Sequence, residues 1–109
     1  MSGVVYFIQA GRGGHIKIGR AESLAAAKNR VGTLQTGNHK KLSLLAVSSV
    51  SSGSASSAER AAHVAFAGSR LQGEWFRPTR ALLDAIEMIR YGGELYEALG
   101  GPGPVVDNT

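Results

Sequence analysis

The chain contains no cysteine, so neither a disulfide framework nor a thiolate metal site is available to it. It also has no stretch approaching the ~18 consecutive apolar residues of a membrane span. The N-terminal residues lack the charged head and continuous apolar run of a secretory signal. The cytosol is therefore the expected compartment, and a cysteine-free composition agrees with a reducing one. No internal repeat is visible. Acidic residues are scarce where they would matter most: residues 1–80 hold only Glu22, Glu59 and Glu74.

What is present fits one small folded unit. The 109 residues are one domain's worth, 43% of them apolar and 18% charged, and a chain of this size buries enough surface for one core. The net charge of +4 is unevenly spread. Residues 1–80 carry eleven Lys and Arg against three acids, whereas residues 81–109 carry one Arg against five acids. A basic body attracts phosphate backbones through counterion release, so a nucleic acid is the expected partner. A soluble protein that merely has a high isoelectric point is the plainer alternative.

The residue pattern predicts the elements in outline. Val4–Ile8 is a compact β-branched and aromatic run, read as a strand. Ala10-Gly11-Arg12-Gly13-Gly14 is a glycine-rich reversal. His15–Gly19 alternates polar and apolar residues as a second strand, with Ile16 and Ile18 on one face and His15 and Lys17 on the other. The glycines do not have Walker spacing, so a hairpin turn is preferred to a phosphate cradle. Glu22–Leu34 is alanine-rich with helical spacing and is weakened near Gly32. A turn at Thr36-Gly37-Asn38 leads to a third strand, Leu42–Val50. The serine-rich segment Ser48–Ser57 is read as a mobile connection, with Ser57 a cap for a helix over Ala58–Leu71. Gln72-Gly73 breaks that helix, and Glu74-Trp75-Phe76 forms a short aromatic anchor. Pro78-Thr79 opens a last helix with Leu82, Leu83, Ile86, Met88 and Ile89 as its apolar positions. Glu94–Leu99 adds a turn after Gly92-Gly93. The expected fold is α+β (order β-β-α-β-α-α), a small three-stranded, mainly antiparallel sheet flanked by helices. Residues 1–99 form one domain, and 100–109 a disordered tail.

Any hydrolytic chemistry on a phosphodiester needs a group to handle water and a cation to hold developing charge. A hard divalent ion needs an oxygen ligand. Glu22 has a ready structural purpose at a helix start, and Glu74 lies in a loop beside glycine. Glu59, His63 and Phe66 share one helical face. Phe66 belongs in the core, so Glu59 should lean toward the sheet as a metal-site candidate. The alternative is an exposed Glu–His pair on a helix surface.

Taken together, Val5-Tyr6-Phe7, Lys17-Ile18-Gly19, the run Arg30 to Gly37 (RVGTLQTG), Glu59 to Phe66 (ERAAHVAF) and Gly73-Glu74-Trp75-Phe76 resemble the GIY-YIG nuclease superfamily. The series looks like its small branch common in phage and bacterial open reading frames, with its KIG and GEWF motifs. The resemblance spans about residues 3 to 90. It implies a metal-dependent endonuclease that hydrolyses DNA phosphodiester bonds with one divalent ion, Mg²⁺ or Mn²⁺. In that reading Tyr6 is a general base or orients the attacking water. Lys17, in place of a second tyrosine, is the cation beside Tyr6, and Gly19 keeps the site uncrowded. Arg30 grips the scissile phosphate through its planar fork, with Arg20 and Lys28 as rivals for that place. Glu59 is the metal ligand, and His63 is a further site candidate without an assigned role. Trp75 and Phe76 are read as core anchors rather than base-stacking platforms. Val4 replaces a glycine common in the superfamily, Arg30 lies farther beyond Gly19 than the pattern predicts, and the late asparagine of some members has no counterpart. Two other readings remain open: a non-catalytic nucleic-acid-binding module of the same fold, and a protein-interaction domain whose basic face is incidental.

Overall fold

The apolar run at the start of the chain has no polar alternation because both of its faces are covered. The computed structural model describes residues 3–50 and 53–100. In it β1 (Val4–Ala10) lies between β2 (Ile16–Ala21) and β3 (Leu42–Ser49), antiparallel to both. Val5 and Phe7 point to one side of the sheet, and Val4, Tyr6 and Ile8 to the other. α1 (Leu24–Thr36) packs on the Tyr6 side. α2 (Ala55–Ala65), α3 (Arg80–Arg90) and α4 (Leu95–Ala98) pack on the Phe7 side. The architecture is α+β.

The sheet has five strands, not three, in the order β3-β1-β2-β5-β4. β4 (Arg70–Gln72) and β5 (Trp75–Phe76) form a small hairpin that adds to β2. This corrects the helix predicted to run to Leu71. α2 ends at Ala65, a single 3-10 turn covers Ala67–Ser69, and the chain then extends. Gly73, at φ 59°, makes the hairpin turn, a left-handed conformation that glycine adopts without strain. Phe76 is buried on the Phe7 side, whereas Trp75 packs against the Tyr6 side. The aromatic pair therefore clamps both faces, in agreement with its reading as an anchor.

Local chemistry sets the helix starts. Ser23 caps α1 by accepting from the Ala26 N–H, so the helix begins after Glu22 rather than at it. Ser54, not Ser57, caps α2, accepting from the Ser57 N–H. Thr79 caps α3 as expected, accepting from the Leu82 N–H. α1 runs through Gly32 without a break. The connection after β3 is shorter than the serine composition suggests, and Ser51 and Ser52 lie outside the described residues. The tail expected from 100 onward lies outside them too, apart from Gly100. Among the described residues no helix is long and apolar enough to cross a membrane.

Candidate functional site

β5 is so short that it covers only the first part of β2. It pairs with Ile16 and Lys17, and the Ile18 N–H still donates to the Glu74 carbonyl. Beyond that point α2 takes over the edge. The Nε2 of His63 lies 3.0 Å from the Ile18 carbonyl. Since a carbonyl only accepts, Nε2 is the protonated nitrogen in this contact. The His63 ring also packs against Phe76, with centroids 5.1 Å apart. His63 therefore fastens α2 to the edge of β2, a positioning duty that its sequence context did not disclose.

One turn earlier on α2, Glu59 is buried, as its place on the Phe66 face predicts. The exposed Glu–His alternative is excluded. Its carboxylate has a partner: Arg20 Nη1 donates to Oε1 at 2.8 Å. Arg20 pairs with Val5 across the β1–β2 ladder and so points to the α2 side of the sheet. The acid side chain is 10% exposed and the arginine 52%, so the fixed member of this pair is the acid.

The other face of β2 presents Lys17 and Gly19. Tyr6 stands opposite Gly19 and is only 2% exposed. A Cβ on Gly19 would fall 2.4 Å from the Tyr6 hydroxyl and 2.5 Å from the ring carbon bearing it. The ring therefore lies across the β2 backbone, and only glycine leaves room for it. This is a physical reason for the glycine in the Lys17-Ile18-Gly19 motif. The charge of Lys17 is engaged by Glu74. The Lys17 Nζ donates to Glu74 Oε1 at 2.7 Å and stands 5.9 Å from the Trp75 ring centroid.

Glu74, which the sequence reading placed in a loop without a site role, joins the halves of this edge. Burial pushes its carboxyl upward and is the largest single influence. The hydrogen bond and charge of Lys17, with the charge of His63, outweigh it and leave the carboxyl below its ordinary range. Glu74 is a neighbour of Glu59 and His63 as well as of Lys17.

Two open clefts flank Arg20. The larger, about 860 Å³, is lined by Arg20, Glu22, Asn29, Arg30 and Thr33 together with small residues. The smaller, about 340 Å³, is lined by Arg20, Glu59, Arg60, His63 and Arg70. Arg30 thus comes from the exposed side of α1 to the same depression as Arg20, and Arg20 connects it to Glu59. The structure brings Arg20, Arg30, Glu59 and His63 around one edge of the sheet. Tyr6, Lys17 and Gly19 line the adjoining face of β2 but not the clefts. Arg60 and Arg70 were missed as lining residues. Arg60 follows Glu59 directly, and Arg70 was assigned to a helix that does not extend that far.

The model of the T5orf172 domain matches residues 3–90. The chain belongs to the T5orf172 family. No significant match is found among curated proteins or solved structures. The T5orf172 family is loosely associated with nuclease-type functions, which suggests a nuclease-like or a DNA-binding role. The matched span of this T5orf172 domain takes in β1 through α3 and every residue of the edge just described.

Glu59 is the residue of the T5orf172 edge that could hold a divalent ion, through its carboxylate. The carboxylate is buried, has Glu74 beside it and already holds a positive group. Among the described residues no cluster of three or more His, Asp or Glu is arranged to hold a metal. The chain's donor set would therefore be a single carboxylate, with Glu74 nearby. That number suits Mg²⁺, which keeps several waters and takes further oxygens from phosphate.

Proposed function

We propose that this T5orf172 domain is a DNA endonuclease of the GIY-YIG type, hydrolysing phosphodiester bonds with one Mg²⁺ or Mn²⁺ on Glu59. The observation that carries this reading is the buried Glu59 carboxylate, already neutralised by a cation, at the edge of clefts lined by Arg20, Arg30, Arg60 and Arg70. A bound divalent ion supplies charge stabilisation for the leaving oxygen. The chain's own residues do the rest. Arg30 presents a guanidinium fork to the phosphate. Tyr6, held across Gly19, orients the attacking water or, as a phenolate, takes its proton. Lys17, fixed by Glu74, keeps positive charge on the same face of β2. His63 keeps α2, and with it Glu59, in register with the strand.

A second reading has its own support. Tyr6 is almost fully buried, and both Lys17 and Glu59 are engaged by opposite charges. A domain left in that condition binds DNA through its arginines without cutting it. Nicking of a supercoiled plasmid separates the two. The endonuclease reading expects Mg²⁺-dependent nicking that falls on the order of 100-fold or more in Glu59→Gln, a loss typical of removing one transition-state contact, with unfolding otherwise unchanged. Salt-sensitive binding with no cleavage across a series of metals and pH values establishes the binding module instead.

A further inference from the structure

We infer that Arg20 is an exchangeable counter-charge. It neutralises Glu59 while no metal is bound, and it moves to a substrate phosphate when a divalent ion takes the carboxylate. This rests on the reading of Glu59 as the metal ligand and adds a residue and an order of events to it.

The geometry that points to this is the asymmetry of the pair. A carboxylate as buried as Glu59 requires a positive partner, since a lone buried charge is strongly disfavoured. Among the described residues Arg20 is that ion-pair partner, and Glu59 is the hydrogen-bond acceptor of the Arg20 side chain. The guanidinium and a divalent ion would compete for the same carboxylate, one oxygen of which Arg20 already holds. They would also repel each other across a few ångströms at a partly dehydrated edge, where such repulsion is strong. One of them must therefore leave. The acid is fixed in α2 and buried, whereas the arginine is half exposed on a long flexible stem. Arg20 lines both clefts, the one at Glu59 and the one at Arg30. Swinging out of the first would carry it toward Arg30 in the second. There two guanidinium groups would face one polyanion, each suited to bidentate phosphate contact. The other ion pair of the sheet does not have this freedom, because in it the cation is the more buried member.

Metal binding and phosphate binding are then coupled through a single side chain. Two measurements test this on the full chain. In the first, Mn²⁺ alone is titrated into metal-free protein and free Mn²⁺ is read by electron paramagnetic resonance. Arg20→Ala is expected to bind Mn²⁺ about tenfold more tightly than wild type. Arg20→Gln, which keeps a hydrogen-bond donor without the charge, should also bind more tightly and serves if Arg20→Ala does not fold. In the second, affinity for a short DNA duplex is followed against salt. Without metal, wild type and Arg20→Ala should show the same slope of log K against log salt. In Ca²⁺ the wild-type slope should exceed that of the variant by about one, the mark of one added phosphate contact. Mn²⁺ binding that is lost in Glu59→Gln yet unchanged in Arg20→Ala and Arg20→Gln overturns the exchange while leaving the metal site intact. No Glu59-dependent Mn²⁺ binding in any of these proteins overturns both. A slope difference that is equal with and without Ca²⁺ also overturns the exchange.

Discussion

The two faces of the sheet are packed to different depths. On one, Val5, Phe7, Ile16 and Ile18 meet the apolar sides of α2, α3 and α4, with Phe66, Phe76, Leu82, Ile86 and Ile89 filling the space between. On the other, Tyr6, Ile8 and Leu42 are covered by α1, which buries Ala27 alone and lays Val31 and Leu34 over the rest. The deep face supplies cohesion. The thin face leaves most of α1 in water, and that is how Arg30 comes to line a cleft. β2 lies at the junction, with Ile16, Ile18 and Arg20 on the deep side and Lys17, Gly19 and Ala21 on the thin side. The candidate site is assembled where the cover of both faces runs out.

The contrast breaks most visibly in the core of the deep face. Ile86→Ala removes a buried side chain from the interface of α3 with the sheet and should cost roughly 2–5 kcal/mol, the usual range for such truncations. Val31→Ala, on the half-covered side of α1, should cost less than about 1 kcal/mol, since most of its transfer energy is not realised there. Urea unfolding measures both as shifts of the midpoint. Equal costs would mean that α1 is as firmly seated as α3, and the comparison would be lost.

Gly19→Ala comes next. Its methyl would overlap the Tyr6 ring, and overpacking of this kind costs roughly 1–3 kcal/mol. The substitution should also displace the Tyr6 ring, seen as a change in its aromatic NMR signals. The double variant with Tyr6→Val should recover part of the lost stability, because the smaller side chain vacates the space. Additive costs in the double variant would show that the close approach of Tyr6 to Gly19 carries no strain on substitution.

These elements were unequally legible. β1 reads from its continuous apolar run, β2 from its alternation and α3 from Thr79 and its spaced aliphatics, because each signal is local and periodic. β4 and β5 do not. Arg70, Leu71 and Gln72 are all exposed and β5 is two residues long, so neither is long enough for a period to emerge. The clue that was present is Gly73 between Gln72 and Glu74, with β-prone Trp75-Phe76 after it, which reads as a hairpin turn. The start of α2 was ambiguous for a different reason. Ser54, Ser56 and Ser57 are all competent caps, and the choice among them is made by how the helix packs. In the site, the inward lean of Glu59 followed from Phe66 on the same helical face. Its partner did not, because Arg20 and Glu59 are 39 residues apart and no spacing rule joins them. The role of Glu74 was hidden for the same reason, since Lys17 is 57 residues away.

A smaller effect concerns pH. Glu74 is held below its ordinary range in the folded chain. Its contribution is therefore complete above the unfolded carboxylate value of roughly 4.3 and is lost as pH falls through the folded value. With the acid side chain 40% exposed, solvent screening keeps that contribution below about 1 kcal/mol. In metal-free buffer, the wild type should lose stability between about pH 5 and pH 3 more steeply than Glu74→Gln does. Parallel curves would mean that the Lys17–Glu74 pair adds nothing to folding and serves only to aim the lysine.

The smallest effect on folding is expected at Arg30, and there the contrast between the faces turns into one between stability and binding. Arg30 is exposed and makes no hydrogen bond or ion pair with the other described residues. Surface substitutions of this kind stay within about 0.5 kcal/mol, so Arg30→Ala should unfold with the wild type. Its DNA affinity should fall, and its salt slope should drop by about one, if Arg30 holds a phosphate. Lys28→Ala, on the same helix and also exposed but outside the cleft, controls for net charge. Equal losses from the two would show that α1 attracts DNA only by its total charge. A loss specific to Arg30 would show that the thin packing of α1 places one arginine where a phosphate must sit.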